Sequence, residues 1–204
     1  MSATTARGEQ TRETILAAAT EVVLESGANR FSLREVARRA ALAPSALYNH
    51  FPNREAIIQA TALRALTELR GFLGAAPENK TSTERLRGLA GAYLAFARER
   101  VAEYRLIFEC LENPATSWER YLAVAEPFTL IVEACRQGLD SGEFADRAGV
   151  GAGGLAYGLW ALCHGHASLT SRNLARVEGD LDALALAAVD AILAGFAAPH
   201  GRTE

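Results

Sequence analysis

Apolar residues recur every three or four positions along almost the whole chain, and no segment shows the strict alternation of a half-buried strand. This spacing predicts an all-α fold. The pattern begins at Thr11, and its first helix closes at Gly27. Further long helices are predicted near 54–73, 83–101, 103–112, 116–139, 150–173 and 180–197. Pro127 lies inside the fourth of these and is expected to bend or split it.

The residues from 32 to 42 carry the signals of a short, capped helix. Ser32 and Glu35 form a capping box, in which the Ser32 hydroxyl accepts a hydrogen bond from the Glu35 backbone N–H. The Glu35 side chain is expected to reach back to the backbone N–H of Ser32. The helix is predicted to stop near Leu42, because Pro44 disfavours helical geometry at the residue before it.

Pro44 also suits the first turn of a new helix, where its missing N–H costs nothing, and this third helix is predicted to run to about Phe51. Pro52 ends it, and Asn53 caps the helix that follows. A helix of about eight residues cannot stand alone, so two longer helices must support it. Polar side chains project from its remaining surface, as a helix that reads a DNA major groove requires. They belong to Ser45, Tyr48, Asn49 and His50.

Charge is distributed unevenly along the chain. The net charge is −3 at pH 7, but residues 1–75 hold nine Arg against seven Glu, whereas the remainder holds twelve basic and seventeen acidic residues. Between residues 30 and 54 there are five Arg and one acid, Glu35. A basic segment on an acidic body suits a molecule that presents one end to a polyanion. The alternative interpretation is a solvated helix face that happens to be basic.

Other features limit the class of protein. No apolar run approaches the roughly 20 residues of a membrane span, and the N-terminal residues lack the apolar stretch of a secretory signal, so we expect a cytoplasmic protein. Cys110, Cys135 and Cys163 form neither a disulfide framework nor a zinc motif, and they are interpreted as small buried hydrophobes. No metal site and no cofactor are predicted.

Three runs of sequence together resemble the DNA-binding signature of the TetR (tetracycline-repressor-like) family. They are FSLREVA at 31–37, LAPSALYNHF at 42–51 and NRE at 53–55. The resemblance covers roughly residues 10–60. It implies a three-helix helix-turn-helix DNA-binding domain at 8–54, a connecting helix at 54–73, and a larger helical domain at 76–198 that binds an effector and forms a dimer.

The resemblance also implies which residues approach DNA. Tyr48 and Arg54 would contact phosphates, and Ser32 would approach the backbone. Base edges or nearby phosphates would be reached by Arg34, Ser45, Asn49 and His50. Ala46 lies in the same contact set, where the family often has a polar residue, and Ala43 stands where the family usually has Ser or Thr. At each position the alternative is an ordinary exposed helix residue.

The last two predicted helices are candidates for a dimer interface. One DNA-binding head reads too few base pairs to find a unique site, so a symmetric pair of heads is expected. The helix near 150–173 is rich in small residues that permit close helix approach, namely Gly151, Gly153, Gly154, Gly158 and Gly165. The helix near 180–197 is too apolar for free solvent exposure. The resemblance implies that both helices form the interface of a homodimer. Burial of these helices against the rest of the same protomer is the alternative.

One face of the penultimate helix carries five residues at helical spacing, namely Tyr157, Trp160, Ala161, His164 and Ser168. Its sequence resembles a TetR branch marked by a Trp…His-Gly signature. This face could line an effector pocket with His164 as its polar handle, or Trp160 and His164 could be satisfied core residues.

The resemblance implies an effector cavity among the middle helices, so aromatic residues there are candidate ligand contacts. The full candidate set is Phe96, Tyr104, Phe108, Trp118, Tyr121, Phe128, Trp160 and His164. No strongly charged constellation stands out in the middle helices, which favours a largely apolar or aromatic effector. Plain core packing is the alternative for each residue.

These observations predict a DNA-binding transcription regulator. Its simplest form is a repressor that leaves a palindromic operator when a small molecule binds the body, with operator DNA and that effector as partners. An activator and a regulator without effector control are the alternatives. An enzyme is disfavoured, because Cys163 and His164 are the only suggestive pair and adjacent side chains on a helix diverge.

Overall fold

The computed structural model describes residues 3–27, 30–76, 81–110, 118–172 and 178–198, apart from the side chains of 3–5, 109–110 and 118–126. The helices among these residues are α1 (Ala3–Ser26), α2 (Leu33–Arg39), α3 (Pro44–Leu47), α4 (Arg54–Gly74), α5 (Ser82–Glu99), α6 (Val101–Cys110), α7 (Trp118–Asp140), α8 (Gly151–Ser171) and α9 (Leu181–Phe196). Extended pairing in the described chain is limited to one antiparallel bridge between Phe144 and Ala197. The all-α prediction is confirmed. None of the described helices combines the length and hydropathy that a membrane span would need.

The chain divides into two compact units. Unit 1 comprises Met1–Glu68 and Arg100–Tyr121, and unit 2 comprises Leu69–Glu99 and Leu122–Glu204. This division differs from the predicted boundary near residue 76, because α6 belongs to unit 1. The side chain of Leu106 on α6 is fully buried in the same apolar core as α1 and α2, which explains the difference.

The core of unit 1 holds the first three helices together. α1 contributes Ile15 and Val22, and α2 contributes Val36, all of them buried. Leu47 and Phe51 enter the same core from the segment that begins at α3. Two longer elements therefore support the shortest one, as its length requires.

α2 is shorter than predicted, ending at Arg39 instead of near Leu42. Ala41 has a φ of +54°, in the left-handed region that L-residues rarely adopt. This turn lets the N–H of Leu42 donate to the carbonyl of Ala37 at 2.9 Å, which is the hydrogen bond of a Schellman motif. The backbone hydrogen bond therefore ends α2 several residues before the position that Pro44 restricts.

The third helix is also shorter than predicted. α3 ends at Leu47, and residues 48–51 continue as a tight turn. The carbonyl of Leu47 accepts the N–H of His50 at 3.0 Å and the N–H of Phe51 at 2.9 Å, so a three-residue separation occurs beside the four-residue separation of an α-helix. Pro52 prevents the helix from resuming beyond this turn, because it disfavours helical geometry at Phe51.

The start of α4 agrees with the prediction, whereas the start of α1 does not. α4 is capped as predicted, since the Asn53 side chain accepts the N–H of Ala56 at 2.8 Å. α1 begins at Ala3 and not at Thr11. Its first turns are largely polar, so the apolar periodicity on which the prediction depended could not mark them.

In unit 2, α5, α8 and α9 pack against one another. Their facing sides bury apolar side chains, including Leu89, Phe96, Leu155, Leu159, Val189 and Leu193. α7 continues through Pro127, so of the two predicted effects of this proline, a bend or a split, the split does not occur. A single proline removes one backbone hydrogen bond, and a helix of 23 residues retains many others on both sides.

Residues 141–150, which join α7 to α8, are called the capping loop because they satisfy the ends of several helices. The Glu143 carboxylate accepts the backbone N–H groups of Ser82 at 2.7 Å and Thr83 at 2.8 Å, at the start of α5. The Thr83 hydroxyl donates to the same carboxylate at 2.6 Å. Burial acts to raise the pKa of Glu143, but the hydrogen bonds from Thr83 and Ser82 outweigh it and the pKa is lowered.

Two other residues of the capping loop hold the neighbouring helices. Arg147 donates to the carbonyls of Gly195 at 3.3 Å and Ala197 at 3.0 Å, at the end of α9. Asp146 accepts the N–H of Gly151 at 2.7 Å, at the start of α8. A cation at a helix C-terminus and an anion at an N-terminus are the charges that the helix dipoles favour.

Phe144 anchors the capping loop in the core. Its side chain is buried, and its ring occupies the space that a side chain at Gly138 of α7 would need. A Cβ atom on Gly138 would lie 2.3 Å from the ring's Cδ2, a distance too short for any side chain. The fit therefore requires glycine at this position.

Candidate nucleic-acid interface

The segment Pro44–Phe51, called the recognition turn, has one buried and one exposed side. Leu47 and Phe51 are buried, whereas the Tyr48 side chain is 56% exposed. Among the other predicted contact residues of this turn, Ser45 and Asn49 are exposed, and Ala46 and His50 are half-buried. The polar tips of the turn therefore face away from the core that holds it.

Two predicted contact residues lie at the start of α2. The Ser32 hydroxyl caps the helix by accepting the backbone N–H of Glu35 at 3.4 Å, which confirms the first half of the capping box. Arg34 is exposed and forms no ion pair with any residue in the described part of the chain. The first turn of α2 therefore presents a guanidinium to solvent.

The second half of the predicted capping box is wrong, because the Glu35 side chain does not reach back to Ser32. Its carboxylate accepts hydrogen bonds from Arg38 at 2.6 and 2.9 Å and from Arg39 at 2.8 Å. Charged donors compete better for a carboxylate than a neutral backbone N–H does. The hydrogen bonds from Arg38 and Arg39 hold the pKa of Glu35 at about 2.

Arg39 joins α2 to α1 through a set of ion pairs that we call the α1–α2 clamp. Its guanidinium binds Glu25 at 2.9 Å through one nitrogen and more closely through another, lies 3.5 Å from Glu21, and also binds Glu35. The Arg39 side chain is only 16% exposed. Two arginines of the basic segment, Arg38 and Arg39, therefore neutralise carboxylates within the protein, which the residue count could not reveal.

Arg54, the first residue of α4, is divided between the protein and solvent. Its guanidinium lies 5.4 Å from the centre of the Phe31 ring, and its Nε donates to the Phe31 carbonyl at 3.5 Å. Another nitrogen lies 3.8 Å from Glu55. The Arg54 side chain keeps 39% of its surface exposed, so part of its charge remains accessible to a ligand.

Sequence reasoning missed Arg12, which contacts the recognition turn from α1. Its Nη1 donates to the His50 carbonyl at 3.3 Å, and its guanidinium carbon lies 4.2 Å from the centre of the Phe51 ring. The hydrogen bond spans 38 residues, so no local pattern could signal it. An arginine one turn before the apolar period of α1 was the only available hint.

Three of the predicted effector residues come together in unit 2. The rings of Trp160 and His164 stack with their centres 5.3 Å apart, and Phe128 packs edge-on against Trp160 at 6.0 Å. The Nδ1 atom of His164 lies 3.0 Å from the hydroxyl oxygen of Tyr93, another aromatic residue of the middle helices. The imidazole is therefore both stacked and hydrogen-bonded.

The other predicted effector residues do not join this group. Phe96 is fully buried and packs edge-on against a phenylalanine of α4 at 5.5 Å. Tyr104 and Phe108 belong to unit 1, where their rings lie 5.0 Å apart. The side chains of Trp118 and Tyr121 lie outside the described residues. The predicted set is thus divided between the two units.

The two cysteines whose side chains are described are buried and unreactive. Burial raises the pKa of Cys135 to about 12 and that of Cys163 to about 11, so both thiols are protonated at neutral pH. In the part of the chain that the structure describes, no three His, Cys, Asp or Glu side chains are grouped as metal ligands would be.

Two sequence families match this chain. Residues 15–61, which include the recognition turn, match the family described as bacterial regulatory proteins, tetR family. Residues 86–192 match the family described as tetracyclin repressor-like, C-terminal domain. The second match alone spans more than half of the chain.

Two curated relatives cover most of the sequence. The HTH-type transcriptional regulator YobS of Bacillus subtilis is 25% identical over 171 residues, which is 84% of each chain. The HTH-type transcriptional activator FasR of Mycolicibacterium smegmatis is 29% identical over 154 residues, which is 72% of this chain and 68% of FasR.

Solved structures share the fold over nearly the whole chain. A protein from Rhodococcus sp. RHA1 has a TM-score of 0.80 at 26% identity, over 92% of this chain and 95% of that one. The transcriptional regulator FadR from Bacillus subtilis, solved in complex with stearoyl-CoA, has a TM-score of 0.71 at 17% identity, over 90% of this chain and 98% of FadR. With both family matches, these similarities establish that the chain belongs to the TetR family of bacterial helix-turn-helix transcriptional regulators.

Proposed function

We propose that this protein binds a palindromic operator as a homodimer, represses transcription from it, and leaves it when a small molecule binds unit 2. The observation that carries the DNA-binding part is the two-sided recognition turn. Leu47 and Phe51 fix the turn in the core, and Tyr48 and Asn49 are left in solvent without a packing role. Such a regulator would act in the cytoplasm, where the bacterial chromosome lies.

The exposed side chains suggest a division of roles on DNA. The Tyr48 hydroxyl and the accessible part of the Arg54 guanidinium suit phosphate oxygens, and Ser32 lies at a helix start that can approach the backbone. The Asn49 amide has the donor and acceptor that pair with adenine in the major groove. His50 adjoins Asn49 and is the second candidate for a base edge. These roles are what the resemblance to the family implies for each position.

Selection from random duplexes tests the proposal directly. We expect the wild-type protein to enrich an inverted repeat from a pool of random DNA, with an affinity that falls steeply as salt rises. Asn49→Ala should weaken binding to the selected duplex by about tenfold to a hundredfold and relax its sequence preference. Tyr48→Phe should weaken binding to the selected duplex and to a scrambled duplex by the same factor. Thr67→Ala, at an exposed position of α4, is the matched control. Absent or salt-insensitive binding would refute the proposal.

Homodimer formation through α8 and α9 is supported by the surfaces of these helices. α8 contains no Asp, Glu, Lys or Arg, yet its Tyr157 side chain is 61% exposed, and Leu184 on α9 is also largely exposed. At Gly158 and Gly165 an added Cβ would meet no other atom of the described chain within 4 Å. The two acids of α9, Asp182 and Asp190, pair with Arg98 and Arg87 of α5. Exposed large apolar side chains beside an uncharged helix are typical of interfaces between proteins.

Sedimentation measurements test the dimer. We expect Leu184→Glu to shift the protein from dimer to monomer at micromolar concentration, because a carboxylate would be buried without a partner in the interface. The control is Leu24→Glu, which changes an equally exposed leucine of unit 1. A wild-type monomer, or equal effects of both substitutions, would contradict this interface.

The effector part of the proposal is supported by the group of Phe128, Trp160, His164 and Tyr93. The rings of Phe128, Trp160 and His164 contact one another, and a hydrogen bond joins the Tyr93 hydroxyl to the His164 imidazole. Such surroundings favour an apolar or aromatic ligand. FadR shares the fold and was solved with stearoyl-CoA, which supports a ligand with a large apolar part. A thermal-shift screen should then find compounds whose stabilisation Trp160→Ala abolishes.

Activation of transcription is the second candidate, because FasR is named an activator and is similar over most of this chain. Transcription in vitro from a promoter that carries the selected duplex separates the two candidates. A fall in transcript when the protein is added supports repression, and a rise supports activation.

A further inference from the structure

We propose that Arg12 is a positioning residue of the DNA-binding site. By holding the C-terminal end of the recognition turn, it sets the direction in which Asn49 and His50 project. The inference rests on the proposed use of this turn to read DNA. It concerns a residue of α1, which precedes the two helices α2 and α3 that carry the predicted DNA contacts.

The recognition turn has a weak end that needs an external partner. α3 has only four residues, and beyond Leu47 its chain continues through a tight turn that stops at Pro52. The last carbonyls of a helical segment have no partner within the segment. The Arg12 guanidinium supplies a donor to one of them, the His50 carbonyl, at 3.3 Å.

The same guanidinium also covers the aromatic ring that anchors the turn. Its central carbon lies 4.2 Å from the centre of the Phe51 ring, well inside the range of a cation–π contact. Phe51 is buried on its other sides in the core of unit 1. One side chain thus fixes the backbone at His50 and the ring at the next residue.

Arg12 can hold the turn because its own helix is well anchored within unit 1. Ile15 and Leu16, one turn further along α1, are buried in the core. Glu13, the neighbour of Arg12, lies 3.5 Å from Arg64 of α4. The base of the Arg12 side chain is therefore fixed between two elements, and the guanidinium transmits that position to residues 49 and 50.

A positioning residue and a phosphate contact predict different losses. A lost phosphate contact weakens all DNA sequences equally and lowers the slope of log K against log salt by about 0.9. A misplaced recognition turn weakens the base contacts and leaves the number of neutralised phosphates unchanged. The ratio of affinities for selected and scrambled duplexes is therefore the decisive measurement.

Arg12→Gln is the principal variant, and Arg7→Gln is its matched control, because Arg7 is an exposed arginine of the same helix and loses the same charge. The probes are the duplex that the wild-type protein selects and a scrambled duplex of equal composition. We expect Arg12→Gln to lower the affinity ratio by about tenfold with the salt slope unchanged, and Arg12→Lys to restore part of that loss. Equal losses on both duplexes with a lower slope, or equal ratios for Arg12→Gln and Arg7→Gln, would overturn the inference.

Hydrogen exchange of the free protein gives a second readout that needs no DNA. In Arg12→Gln the amides of residues 48–51 should exchange faster than in the wild type, whereas Arg7→Gln should leave them unchanged. Unchanged exchange in Arg12→Gln would overturn the positioning role even if no duplex were selected. If the wild type selects no duplex while the exchange result holds, the proposed DNA reading fails and the structural role of Arg12 stands.

Discussion

In unit 1, the side-chain caps of α2 and α4 come from neighbours in sequence, whereas in unit 2 the capping loop adds partners from far along the chain to the local caps that Thr81 and Asp180 provide. Ser32 and Asn53 each accept a backbone N–H three residues later. Glu143 caps the start of α5 from 61 positions away, and Arg147 reaches carbonyls 48 and 50 positions away. Neighbouring residues therefore determine the starts of α2 and α4 in unit 1, while the helices of unit 2 also depend on contacts that form only when the chain is folded.

The largest loss of stability is expected when Phe144, the anchor of the capping loop in unit 2, is removed. Phe144→Ala should lower the free energy of unfolding by about 3–5 kcal/mol, because it empties the space beside Gly138 in which the ring is buried. Urea unfolding followed by circular dichroism measures the loss. Val150→Ala, at an exposed position of the same loop, should have little effect. A loss below about 1 kcal/mol for Phe144→Ala would show that the loop does not hold unit 2.

The next effect should come from the remote cap itself. Glu143→Ala should cost about 2 kcal/mol, because it removes a charged acceptor from two backbone N–H groups and one hydroxyl. Hydrogen exchange should increase first at the start of α5 and not in α2. Equal increases in both helices would mean that the cap has no local role.

A smaller effect of the opposite sign is expected in unit 1. Ala41→Gly should raise the free energy of unfolding by about 1 kcal/mol, because glycine adopts the φ of +54° without the strain that alanine carries there. The same urea measurement applies, with Ala17→Gly in the middle of α1 as a control that should destabilise. A loss of stability in Ala41→Gly would contradict the left-handed closure of α2.

The local cap should matter less than the remote one. Ser32→Ala should cost about 0.5 kcal/mol, because the hydroxyl lies 3.4 Å from its donor and the site is exposed. Comparison with Glu143→Ala, in the same urea experiment, tests the contrast between the units. If Ser32→Ala costs more than Glu143→Ala, the contrast fails.

The smallest effect concerns acid stability. The pKa of Glu35, about 2, lies below its ordinary value of 4.5, so its contribution to stability is complete above pH 4.5 and is lost as the pH falls towards 2. Glu35→Gln should therefore flatten the dependence of unit 1 stability on pH within that window. Urea unfolding between pH 2.5 and 5 would show it, and identical slopes for variant and wild type would refute it.

Sequence reasoning succeeded where a helix end is determined by its own neighbours. The Ser32 cap and the Asn53 cap each depend on two or three adjacent residues and could be predicted, whereas the end of α3 at Leu47, well before Pro52, could not. The polar tips of the recognition turn followed from the same local pattern. The buried side of that turn was predictable as well, because Leu47 and Phe51 are among its few apolar residues.

The failures share a different cause. The Glu35 side chain binds Arg38 and Arg39 and not the backbone N–H of Ser32. The sequence could not predict this, because competition between several partners depends on their geometry. The contact of Arg12 with His50 and the placement of α6 in unit 1 depend on packing between distant segments. A count of arginines treats each one as available to bind DNA, although Arg39 forms ion pairs within the α1–α2 clamp.

The capping loop also has a consequence for how homologous chains can vary in length. Surface connections usually tolerate insertions, since little depends on their register. Here one extra residue between Glu143 and Arg147 would displace at least one of the charged groups that hold α5, α8 and α9. We therefore expect relatives that keep these groups to conserve the spacing between them more strictly than the identity of the exposed residues around them.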